Sequence, residues 1–98
     1  MKIEMALKTL RGHEVELRAR GVRHAALFGS VARMEDRPES DVDVVIDFDP
    51  EAKLTVFDYV GLKDYIGSIF DAKVDVVDRE AVKPDVRRAV ERDAVYAF

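Results

Sequence analysis

The chain contains no cysteine, which excludes disulfide scaffolds and thiolate metal sites. Its two histidines, His13 and His24, lie far apart in sequence and argue against an imidazole zinc site. A bound metal must therefore be held by oxygen ligands. No apolar run approaches the ~18 residues that span a bilayer, and the N-terminus alternates charged residues with single apolar ones, unlike a signal peptide. A cytoplasmic protein without a membrane segment is expected. The Gly-Lys-Ser/Thr phosphate loop is also missing, which disfavours P-loop chemistry. Basic charge is not in excess: the net charge of −4 leaves little for broad phosphate neutralisation. Direct nucleic-acid binding is not expected, and a partner with a basic face is easier to accommodate.

The 98 residues suffice for one compact domain, 1–98, and are too few for two. With 48% hydrophobic and 37% charged residues, the chain can close a core beneath a solvated surface. Ile3, Ala6, Leu7 and Leu10 recur at helical spacing, and Gly21 offers a stop, so a first helix is expected there. Val22–Phe28 reads as a partly buried strand ending at Gly29, with Ser30 placed to cap a short helix. Residues Met34–Ser40 contain Pro38 and read as a loop. In the next strand Asp41, Asp43 and Asp47 alternate with Val42, Val44, Ile46 and Phe48 at a period of two.

Thr55 and Asp58 have the spacing of a capping box. Behind them, Tyr59, Leu62, Ile66, Ile69 and Phe70 form a helical stripe. Val74, Val76 and Val77 mark a third strand on which Asp75 points away from Val74 and Val76. Pro84 suits the first turn of a last helix carrying Val86, Ala89, Val90 and Ala94. The order helix, strand, helix, strand, helix, strand, helix implies an α/β (α+β) fold: a small mixed sheet of about three to four strands flanked by about four helices.

Asp41 and Asp43 share one side of a strand, with Cα atoms roughly 6.6 Å apart. Two carboxylates at that spacing suit Mg²⁺, which takes one or two of them together with substrate phosphates. If the Asp75 strand lies alongside, three acids converge and repel one another unless a cation sits between them. Gly29-Ser30, between a strand and a helix, offers close backbone approach, free N–H donors and a hydroxyl, all suited to an anion. Taken singly, the acid pair is compatible with a solvated strand and Gly-Ser with a plain turn.

The combination is more specific. The segment GSVARMEDRPESDVDVV, with Gly-Ser, ten intervening residues and Asp-x-Asp, resembles the signature of the DNA polymerase beta nucleotidyltransferase superfamily. In detail it is most similar to the MNT antitoxins, minimal nucleotidyltransferases encoded beside HEPN-domain toxins. The segment AKVDVVDREAVKPDVRRAVERDAVY is similar to that family's usual ending, so the resemblance covers nearly the whole chain. It implies Gly29 and Ser30 as phosphate-binding residues, Asp41 and Asp43 as the metal-binding pair, and Asp75 as the third acid, all three aspartates being catalytic and metal-binding. Arg33 matches an arginine common after the Gly-Ser. It either contacts phosphate or pairs with Glu35 or another nearby acid. Met34 departs from the family, which often has glycine there, and this is expected to alter the loop before Pro38 and nucleotide entry.

The implied reaction is in-line attack by an acceptor hydroxyl on the α-phosphate of ATP, expelling pyrophosphate. Two Mg²⁺ ions about 3.5 to 4 Å apart would share Asp41 and Asp43. Asp75 would hold one ion and take the proton. Larger members of the superfamily add a second domain that recognises the acceptor, for which this chain has no room, so a partner must complete that side. The resemblance implies a HEPN ribonuclease toxin adenylylated on a tyrosine. Neutralisation by binding alone and transfer to a small molecule are the rival readings. Elsewhere, Asp47 and Asp49 read as solvated turn acids, and His24 as packed or exposed rather than catalytic. Arg87, Arg88 and Arg92 read as a solvated face or a contact for an acidic partner, with Tyr96 and Phe98 adding apolar contact.

Overall fold

A computed structural model describes residues 1–98. The elements in chain order are α1 (Ile3–Gly12), α2 (Glu14–Ala19), β1 (Val22–Phe28), α3 (Gly29–Ala32), β2 (Val42–Phe48), α4 (Val56–Ile69), β3 (Val74–Asp78), α5 (Pro84–Asp93) and β4 (Val95–Tyr96). They form a mixed four-stranded sheet in the order β3-β2-β1-β4. β1 runs antiparallel to both β2 and β4, whereas β2 and β3 are parallel and joined by the α4 crossover.

Alternation along the strands divides the side chains between two faces. Val42, Val44 and Ile46 of β2 join Ala25 and Leu27 of β1 and Val76 of β3 in the larger core, closed by Ala6, Leu10, Leu17, Leu62 and Ile66 from α1, α2 and α4. On the opposite face Ala26, Phe28 and Val45 meet Val90 of α5 in a much smaller cluster. The face that bears Asp43 and Asp47 is thus partly covered, because Val45 lies between them beneath α5.

Local signals account for the helix starts. Thr55 Oγ1 accepts from the Asp58 amide at 3.1 Å and the Asp58 carboxylate accepts from the Thr55 amide at 2.8 Å, completing the capping box of α4. Pro84 opens α5, where its missing N–H costs no hydrogen bond.

The strands number four, within the three to four expected, and three local expectations, on the first helix, Phe98 and Ser30, are corrected. The first helix is broken at His13, whose backbone (φ −114°, ψ 17°) leaves helical geometry just after Gly12, a poor helix former, while its Nδ1 lies 2.8 Å from the Thr9 carbonyl. A fourth strand is present: the chain leaves α5 at Ala94 and pairs Val95 with Leu27 and Tyr96 with Ala26. Two residues are too few to show a period. Phe98 consequently packs against the core with the Arg18 guanidinium 4.8 Å above its ring, and it is not part of an outward apolar contact. Finally, Ser30 does not cap α3. It is the second residue of that helix, after Gly29, and the preceding Phe28 makes no side-chain cap.

Candidate active site

The sheet brings two of the three acids side by side. In the parallel pairing of β2 with β3, Asp43 is the direct partner of Asp75, on strands about 4.8 Å apart. Asp41 lies just ahead of β2, where the Val42 amide donates to the Lys73 carbonyl at 2.9 Å and ties the starts of both strands together. On the other side of β2, Asp43 is paired with Phe28, the residue before Gly29. The Gly-Ser turn and the acids therefore meet at one end of the sheet, at the C-terminal end of β1 and the N-terminal ends of β2 and β3.

Gly29 is required there twice over. Its φ of +75° is disfavoured for residues with a side chain, and a Cβ at this position would collide with Asp43 Oδ2. The backbone of the turn is thereby able to lie against the carboxylate. Asp43 is held well above the usual carboxylate range, at about 6, chiefly by burial and then by the charges of Asp75 and Asp41, while Arg33 opposes the shift.

Arg33 closes α3. Its NH1 donates to Asp93 Oδ2 at 2.6 Å and its Nε to Glu35 at 3.2 Å. Both acid contacts hold its guanidinium pKa above the ordinary value, with Asp93 the larger cause. Asp93 is the residue that sequence reasoning missed. The available signal was its place on the stripe of α5 that otherwise carries Val86, Ala89 and Val90, where an acid is out of pattern. Arg92 forks onto the same carboxylate and so is not simply part of a solvated face.

Met34 takes φ +59°, the left-handed conformation that glycine adopts readily, so the turn keeps a glycine-like backbone despite its side chain. Asp47 faces Arg79 at 3.7 Å, and Asp49 Oδ1 accepts from the Glu51 amide at 2.9 Å in a turn. His24 packs edge-on against Tyr96.

The donor chemistry suits Mg²⁺. Three carboxylates converge with little compensating positive charge, because Arg33 is already engaged by two other acids. Asp41, Asp43 and Asp75 do not stand as a ready-made three-acid metal cage, so a cation here would have to draw the rest of its shell from substrate phosphates and water. None of the five surface cavities is lined by Gly29, Ser30, Asp41, Asp43 or Asp75, so the acids lie on an open face rather than in an enclosed pocket.

This arrangement of a Gly-Ser turn beside paired acids is matched by a known family across almost the entire chain: the profile of the Nucleotidyltransferase domain covers residues 3–97. The chain belongs to the nucleotidyltransferase domain family. Among relatives, this nucleotidyltransferase is 34% identical over 97 residues to the protein adenylyltransferase MntA of Thermococcus cleftensis, covering 98% of this chain and 96% of that protein. It is a homologue of MntA. A solved structure assigned as a minimal nucleotidyltransferase superposes with a TM-score of 0.74 at 30% identity, covering 97% of this chain and 95% of the other.

A chain from the complex of the tri-AMPylated Shewanella oneidensis HEPN toxin with MNT antitoxin shares the fold, with a TM-score of 0.65 at 18% identity over 94% of this chain and 71% of that one. The small mixed sheet with flanking helices is thus the minimal nucleotidyltransferase fold. No helix is long and apolar enough to cross a membrane.

Proposed function

We propose that this nucleotidyltransferase is an antitoxin that transfers AMP from Mg-ATP to a tyrosine hydroxyl of a cognate HEPN ribonuclease toxin in the cytoplasm and so neutralises it. The observation that carries the reading is the register that sets Asp43 beside Asp75 and next to the Gly29 turn, in a homologue of MntA. Charge neutralisation on the triphosphate is the chemistry that Mg²⁺, held by Asp41, Asp43 and Asp75, would supply.

The other roles belong to the chain itself. Gly29 lets the phosphate chain approach the backbone, Ser30 donates its hydroxyl to a phosphate oxygen, and Arg33 offers guanidinium donors. The tyrosine oxygen forms the new bond to the α-phosphorus as the bond to pyrophosphate breaks. Its proton passes to Asp75, exposed on β3 and beside Asp43. The open face favours an acceptor carried by a macromolecule, because no cavity beside the acids would enclose a small alcohol.

The test is co-expression with the cognate HEPN protein followed by intact mass measurement. An added AMP mass on the toxin that disappears in the Asp41→Asn/Asp43→Asn double variant is the expected result. Full neutralisation by that variant, with no nucleotide ever found on the toxin, would replace catalysis with binding alone.

A further inference from the structure

Asp93 has the properties of a residue kept for what it holds. Its side chain is 3% exposed, on a helix face that is otherwise apolar, where a valine would avoid the cost of burying a charge. Instead the carboxylate gathers three charged donors. Arg92 gives a fork, Nε to Oδ1 at 2.8 Å and NH2 to Oδ2 at 3.0 Å, and Arg33 adds NH1 to Oδ2 at 2.6 Å. Arg92 is adjacent in sequence, but Arg33 comes from the other side of the molecule's chain order and stands at the end of the Gly-Ser helix.

That helix cannot sustain itself. α3 has four residues, less than the length at which helix propagation offsets nucleation. It is tied by the Arg33 amide to the Gly29 carbonyl at 3.0 Å and by the Glu35 amide to the Ser30 carbonyl at 2.9 Å. The Arg33–Asp93 pair is the charged link from this turn to α5, beside the apolar contact of Phe28 with Val90. Arg33 uses two of its five N–H donors on Glu35 and Asp93, which leaves three for a ligand.

We propose that Asp93 is a positioning residue for nucleotide binding: by clasping Arg33 to α5, it fixes the remaining guanidinium donors where they serve the phosphate chain of a nucleotide seated at Gly29-Ser30. The inference rests on the AMP-transfer reading for its role in turnover, but its binding component can be measured independently. Asp93 does not touch the nucleotide in this account. Its effect runs through Arg33.

The experiment combines Asp93→Asn, Arg33→Ala and the double variant in the full chain. Mg-ATP affinity is measured by calorimetry, melting temperature by circular dichroism, and KM for ATP and kcat with the cognate toxin. Asp93→Asn is expected to weaken ATP binding and raise KM about tenfold while kcat changes by less than about threefold. Arg33→Ala should do at least as much, and the double variant should be no worse than Arg33→Ala alone, since both remove one interaction. A merely structural Asp93 would lower the melting temperature and the active fraction without moving KM.

Unchanged ATP affinity in a folded Asp93→Asn protein, or fully additive losses, overturns the proposal. Should Asp93→Asn fail to fold, Arg33→Lys keeps the charge but loses the planar fork; severalfold weaker ATP binding is expected, and unchanged binding overturns the proposal. A wild-type protein that binds Mg-ATP yet transfers nothing sinks the AMP-transfer reading and leaves Asp93 to be decided by affinity alone. A wild-type protein that binds no ATP sinks both.

Discussion

The two faces of the sheet are built to different ends. One is sealed by α1, α2 and α4 over a 16-residue buried cluster with no charged member. The other carries only α5 and a four-residue cluster, and gives its remaining positions to Asp43, Asp75 and the Arg33–Asp93 clasp. The sealed face provides stability, and the partly open face holds repelling charges that stability alone would not select. A single strand serves both, since β2 sends Val42, Val44 and Ile46 one way and Asp43 and Asp47 the other.

The largest effect expected from breaking this division is on the open face. Asp41→Asn/Asp43→Asn should cut AMP transfer about a thousandfold or more, on the scale of losing groups that stabilise transition-state charge, without unfolding the protein. Steady-state transfer together with a thermal melt checks both halves, and an active double variant would remove these acids from the reaction.

On the sealed face the response should invert. Ile66 is fully buried against the larger core, and Ile66→Ala should cost about 2 to 5 kcal/mol in urea unfolding. KM for ATP should remain at the wild-type value in whatever fraction stays folded. A selective rise in KM would show that the faces are not independent.

A smaller effect sets stability against function at one residue. Asp43 titrates at about 6 when folded, against 3.8 for an ordinary aspartate. Between those values the folded protein keeps a proton that the unfolded chain has lost. The stability of the metal-free protein should therefore fall as pH rises from about 4 to about 6, with the cost fully present above 6. Asp43→Asn should remove that dependence and, after allowance for solvent screening, stabilise the metal-free protein at pH 7 by about 1 kcal/mol. Melts across this pH range decide the matter: an Asp43→Asn protein less stable than wild type at pH 7 would contradict the charge-repulsion account.

The smallest effect concerns Met34. At φ +59° and 73% exposed, it bears backbone strain with little packing in return. Met34→Gly relieves about 1 kcal/mol of strain and adds nearly as much freedom to the unfolded chain. The two effects nearly cancel, leaving a net change within about 0.5 kcal/mol, so the urea midpoint should barely move, and transfer should stay within about twofold of wild type. A large change in activity would show that the Met34 side chain, rather than its backbone, shapes nucleotide entry.

How much of this was legible in the sequence follows from the range of each signal. The strand Val22–Phe28 and the alternation of acids with valines through Phe48 show at a period of two, and the Thr55–Asp58 capping box spans four residues. Such patterns are local. The convergence of Asp43 with Asp75 depended on which strands pair, and sequence could state it only as a condition. Arg33 and Asp93 lie 60 positions apart, and no periodicity links them. β4 is too short to display a pattern, and the break at His13 interrupts a stripe whose spacing continues through Leu17.

The position of β3 at the border of the sheet carries one more consequence. Its outer side has no neighbouring strand, and its sequence Val-Asp-Val-Val-Asp would be a sticky template for another chain if its acids were apolar. Asp75 and Asp78 interrupt that run with charge, so the carboxylate proposed for chemistry would also guard against self-association. An Asp75→Val variant should be lost from solution as aggregate as well as from the assay, whereas Asp75→Glu keeps the guard.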